Sequence, residues 1–123
     1  KYPDQHPQVI TGILEERGEQ KIAHAIHCHY TRWGYSCESL LDKALLASDE
    51  LTGLIIAVAR LRPNKLQDLT PKSVKKKLKD KNFAAGVDRD EVRIGVELLE
   101  VDLDDHIRFI IDALRPHESE LIL

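Results

Sequence analysis

The stretch ESLLDKALLASDELTGLIIAVARL, residues 38–61, decides the fold. Leu40, Leu41, Ala44, Leu45, Leu46, Ala47, Leu51, Leu54, Ile55, Ile56 and Val58 recur at helical spacing on most of its sides. A helix that is apolar nearly all round belongs in the middle of a bundle, because no single neighbour can cover it. Ser36 or Ser39 stands where an N-cap is wanted, and Pro63 lies just past the end. At about 1.5 Å of rise per residue this helix is ~35 Å long, the width of a small domain.

Working outward, the other apolar stripes also have helical period, and no segment alternates long enough to read as a strand. The first helix runs from about Pro7 to Arg17, with Gly18 as its stop and Val9, Ile10, Ile13 and Leu14 as its buried stripe. The second runs from about Glu19 to Tyr30, with Ile22, Ala25, Ile26 and His29 inward. Beyond the long helix, three more are expected: Pro71 to Lys81 capped by Thr70, Arg89 to Glu100 starting near Asp88, and Leu103 to Arg115 starting near Asp102. The expected architecture is therefore all-α, a compact bundle of about six helices around residues 38–61, in one domain spanning 1–123.

Composition narrows the class. The 123 residues carry 18 basic and 21 acidic side chains, a net charge of −3, and 42% are hydrophobic, which suits an ordinary globular domain. The longest unbroken apolar run, Leu54–Ala59, falls far short of the ~20 residues a spanning helix needs. Residues 1–8 contain Pro3 and Pro7 and no apolar block, so they do not read as a secretory leader. Two cysteines, Cys28 and Cys37, are too few for a disulfide scaffold, and a cytoplasmic location is expected. With Lys1 first and no methionine, the chain reads as part of a longer product.

Three residues from different helices stand out for chemistry. Asp49 shares a strip of the long helix with Asp42, Gly53 and Arg60, flanked by Leu45, Leu46 and Ile56. A carboxylate there is expected to be poorly hydrated and to need a cation. That cation is either Arg60 or a lysine in a salt bridge, or a metal or ligand in the space that Gly53 leaves. His29 falls on the apolar side of the second helix. His24 and His27 share its polar side and are expected in solvent. His6 precedes Pro7 on the side of Val9, Ile10 and Ile13. Two imidazoles and a carboxylate suit divalent iron, manganese or zinc; a hydrogen-bonded core histidine is the competing reading for each imidazole.

From Lys1 to about Leu98 the chain resembles the HD-domain superfamily of metal-dependent phosphohydrolases. KYPDQHP (1–7) is similar to the stretch after the family's His-Asp dyad, and AIHCHY (25–30) to its Ala-Ile-x-x-His element. LDKALLASDELTGLI (41–55) is similar to the helix bearing the last metal aspartate. VARLRPNKL (58–66) and KSVKKKLKDKNFAAGVDR (72–89) fit one subgroup of the family especially well. The resemblance implies an all-α hydrolase of phosphoesters with one or two divalent ions and a metal-activated water. It implies His6, His29 and Asp49 as metal ligands, Asp49 being also the catalytic residue, and a small phosphorylated substrate. No His-Asp dipeptide occurs here; Asp105-His106 has the reverse order. The family's first histidine, the dyad and the helices that carry them are thus expected before Lys1, which makes the chain an incomplete HD domain.

Candidate cations for substrate phosphate are Lys72, Lys76, Arg60, Arg62 and Arg89. Residues 72–81 hold six lysines and one aspartate. They read either as a phosphate-capturing face or as a solvated helix balanced by the acidic stretch Asp88–Glu120. The acidic total argues against a general nucleic-acid binder, and the sequence leaves homo-oligomerisation open. Tyr30, Trp33 and Tyr35 could wall a pocket or anchor their loop in the core. The competing functional reading is a non-catalytic binding module whose basic helix, 72–81, recognises an anionic partner.

Overall fold

In a computed structural model, residues 8–29 and 36–122 are described, with the backbone alone at residues 8, 9 and 29. These residues form six principal helices: α1 (Gln8–Glu16), α2 (Gln20–His29), α3 (Leu40–Arg60), α4 (Pro71–Lys79), α5 (Arg89–Leu99) and α6 (Leu103–Leu114). A 3-10 turn (Arg115–His117) and the short α7 (Glu118–Leu121) follow. There is no strand among the described residues, and no helix is long and apolar enough to cross a membrane. The expected all-α bundle around a long central helix is the architecture found.

Helix starts follow local chemistry. Ser39, Thr70, Asp88 and Asp102 each accept the backbone N–H three residues on, and so cap α3, α4, α5 and α6. Such a cap contributes ~1 kcal/mol by satisfying a donor that the helix itself leaves open. Gly18, at φ +80°, makes the left-handed turn between α1 and α2.

The core forms along α3. Leu51, Leu54, Ile55, Val58 and Ala59 meet Leu66, Leu69, Val74, Val92, Ile107, Ile110 and Ile111 in one buried cluster. A fully buried leucine or isoleucine contributes roughly 1.5–3 kcal/mol. The chain end closes this cluster: Ile122 is buried, and the Glu118 carboxylate accepts the Leu66 N–H at 2.8 Å.

The first two helices depart from expectation. Ile10, Ile13 and Ile22, expected inward, are 44%, 40% and 43% exposed, whereas Thr11, Ala23 and Cys28 are buried; Ala25 is buried as expected. Val9 and His29 belong to the same expected stripes, but their side chains lie outside the described residues. Leu40 and Leu41 are also exposed, so α3 is apolar-buried from Leu46 onward rather than on most sides. On α2 the contacts are filled by Ala23, Ala25 and Cys28, which leaves Ile22 at the surface, and Leu40 and Leu41 stand in the first turn of α3.

Candidate functional site

Of the three expected metal ligands, one can be followed in full. His6 lies outside the described residues, and His29 ends α2 with its side chain also outside them. Asp49 is exposed on α3, which corrects the expectation of a poorly hydrated carboxylate. Asp49 and Gly53 are both exposed, and a Cβ built at Gly53 would meet nothing within 4 Å. Among the described residues, no group of three His, Cys, Asp or Glu side chains could hold a metal ion.

The buried acid on the Asp49 strip of α3 is Asp42, 2% exposed and seven residues before Asp49. Its Oδ2 accepts the backbone N–H groups of Glu38 and Ser39, both at 3.0 Å, while the Ser39 hydroxyl accepts the Asp42 N–H. This capping box holds the carboxylate at the start of α3. His24 of α2 adds a contact from Nδ1 to Oδ2 at 2.9 Å. Burial alone would raise the Asp42 pKa, but the bonds from Ser39, Glu38 and His24 outweigh it and hold the group below its usual range. Asp42 Oδ1 is buried without a hydrogen-bond partner among the described residues.

His24, expected in solvent, keeps 39% of its side chain exposed while it contacts Asp42. His27, the other one expected in solvent, keeps only 15% of its side chain exposed and stands 3.9 Å from Glu15. A carboxylate on Nδ1 fixes an imidazole's orientation. Gln20, Lys21, Glu38 and Ser39 line a shallow hollow of about 260 Å³ beside this pair. The sequence did hold a signal, since Ser39-x-x-Asp42 is a capping-box spacing. The histidine from another helix left no such mark.

Cys28 and Cys37 sit behind the pair as free thiols. The Cys28 thiol donates weakly to the carbonyls of Ala25 and Asp42, and the Cys37 thiol to that of Cys28 at 3.5 Å. Burial pushes both thiols up, so neither is an activated nucleophile.

The five expected phosphate contacts separate. Arg62 and Lys76 come together with Lys77 and Ser73 around a hollow of about 380 Å³ whose apolar lining is Val58 and Leu61. Arg60 and Lys72 are exposed and do not line it. Arg89 is corrected outright. Its Nε donates to the Leu78 carbonyl at 2.9 Å, and its two Nη atoms reach the carbonyls of Lys77, Asp80, Phe83, Ala84 and Val87. The side chain is committed to closing the end of α4 and the following loop. Lys75 pairs with Asp104 of α6 at 2.8 Å, the expected balance between the basic helix and the acidic segment.

His106, the second half of the Asp105-His106 dipeptide, carries no sequence signal of its own. It is buried against α3, with Nε2 3.2 Å from the Ser48 hydroxyl, and its ring is stacked near Phe109. No family model, no curated protein and no solved structure matches the chain.

Proposed function

We propose that this chain is part of an HD-type metal-dependent hydrolase of phosphoesters, to which it contributes His6, His29 and Asp49 as ligands. The motif run from KYPDQHP through ASDELTG to FAAGVDR supports the reading. The observation that carries it is the setting of Asp49: an accessible carboxylate on the central helix, with open space beside Gly53 one turn away. Asp49 fits a divalent cation in the respects the described residues allow, namely charge, access and room. When bound, such an ion supplies a water acidic enough to be hydroxide near neutral pH. The chain's own part is to hold the ion through one carboxylate and two imidazoles, and to keep the long helix rigid beneath it. A cytosolic setting belongs to this reading, since Cys28 and Cys37 are free thiols.

The test uses the full-length protein. Mn²⁺ or Fe²⁺ should raise its thermal stability, because an ion that binds only the folded form must stabilise it. That gain, and hydrolysis of a chromogenic phosphate ester, should both disappear in His29→Ala and Asp49→Asn. Metal-free protein with unchanged hydrolysis in Asp49→Asn would overturn the reading.

A second reading is a binding module for an anionic partner. The convergence of Arg62, Lys76 and Lys77 on one hollow favours it. Salt-dependent binding of polyanions, lost when Lys75, Lys76 and Lys77 become glutamates, would support it.

A further inference from the structure

We propose that the hollow between the C-terminal end of α3 and the outer face of α4 binds a small phosphorylated molecule with an apolar body. The site is separate from Asp49. Val58 is nine residues further along α3, a rise of roughly 14 Å. The proposal therefore stands without the hydrolase reading, and it supplies the binding-module reading with a ligand chemistry.

The lysines of α4 are sorted by face. Val74 is in the core, and Lys75 is neutralised by Asp104. Lys77 lays its ammonium 4.9 Å from the centre of the Phe83 ring, which holds the side chain at the edge of the hollow. Lys76 makes no ion pair among the described residues. Across the hollow, Arg62 gives its Nε to Asp68 at 3.3 Å, and no protein acceptor for its Nη groups occurs among the described residues. That leaves a guanidinium edge and one ammonium for a ligand, with a second ammonium also on the lining; the Ser73 hydroxyl, another lining group, is bonded to the Thr70 hydroxyl at 3.1 Å. Gathering three cations is unfavourable on its own, and an anion placed among them relieves the repulsion. Arginine adds the planar fork that matches phosphate oxygens.

The apolar lining fixes the rest of the ligand. It consists of Leu61, 63% exposed, and the buried Val58. At about 380 Å³ the hollow falls in the range of small-molecule sites, larger than a bare phosphate requires. The unfilled part is apolar, so a phosphomonoester with a hydrocarbon or aromatic body satisfies both halves. The concavity and the acidic balance of the chain favour such a molecule over a nucleic-acid backbone.

The probes are phenyl phosphate and inorganic phosphate, titrated in EDTA so that no metal site contributes, and followed by amide and methyl NMR shifts. Phenyl phosphate should bind at least tenfold more tightly than inorganic phosphate and shift Val58, Leu61, Ser73 and Lys76. Lys76→Gln and Arg62→Gln should each weaken phenyl phosphate about tenfold, whereas Lys79→Gln, an exposed lysine outside the lining, should leave it unchanged. Leu61→Ser should erase the advantage of the phenyl group while inorganic phosphate still binds. Equal weakening by Lys79→Gln, no preference for the phenyl ester, or no saturable shift would each overturn the proposal. So would binding of duplex DNA at the same residues in preference to the ester.

Discussion

Gly95 of α5 crosses α3 at Ala47 so closely that a Cβ on residue 95 would stand 2.5 Å from both the Cα and the N of Ala47. Those are backbone atoms, so only a displacement of a whole helix could make room. The contact between the two helices therefore depends on a hydrogen at position 95. Gly95→Ala should destabilise the protein by about 3 kcal/mol, since overpacking forces backbone shifts. Gly53→Ala should do the opposite and stabilise by ~0.5–1 kcal/mol, because it removes unfolded-state freedom in a helix with open space around it. Denaturant unfolding of the two variants checks both signs.

Arg89 holds the connection between α4 and α5 through six backbone carbonyls. A lysine offers one ammonium and cannot span them. Arg89→Lys should cost about 3 kcal/mol, the sum of several charge-assisted bonds less what water regains. Amide exchange at residues 80–88 should accelerate more than in the α3 core. If Arg89→Lys unfolds like the parent, the loop is held by something else.

Acid should act in two separable windows. Burial lowers the pKa of His106 below 6.5, only partly offset by a hydrogen bond to the Ala47 backbone carbonyl. A depressed histidine contributes stability that is present above its unfolded value and lost as pH falls through its folded value. Stability should therefore decline as pH drops below about 6.5, and His106→Gln should flatten that decline. Asp42, held below 3.8, contributes stability that is lost only at still lower pH. Urea unfolding at stepped pH values distinguishes the two, and a wild-type profile that is flat between pH 7 and 5 would refute the first.

Asp42→Ala removes the acceptor for two backbone N–H groups and for His24 in one change. A loss of roughly 2–3 kcal/mol is expected, more than a single N-cap contributes. Ser39→Ala should cost only ~1 kcal/mol. Thermal melts of both variants give the comparison, and equal losses would mean that the His24 contact adds nothing.

The helices and their caps were legible in the residues because they are local. Thr70 before Pro71, Asp88 before Arg89 and Asp102 before Leu103 each place an acceptor where the helix lacks one. The buried stripes of α1 and α2 were not legible in the same way. Ile10, Ile13 and Ile22 have the right spacing for a core face, but they are exposed, and on α2 Ala23, Ala25 and Cys28 fill the contacts. The candidate cations divided for a similar reason. All were visible as charges, and only packing could commit Arg89 to carbonyls while leaving Lys76 at a hollow.

Periodicity and capping chemistry, both properties of a few neighbouring positions, suffice to write an all-helical chain with one long central element. Which acid on that element is buried was decided elsewhere. Asp42 and Asp49 lie two turns apart on the same strip, with equal claims on any helical wheel. At Asp42 the local capping box with Ser39 is joined by His24, eighteen residues upstream, which contacts its Oδ2 at 2.9 Å. Desolvation and partnering depend on what a distant segment brings into contact, and that is set only when the helices pack.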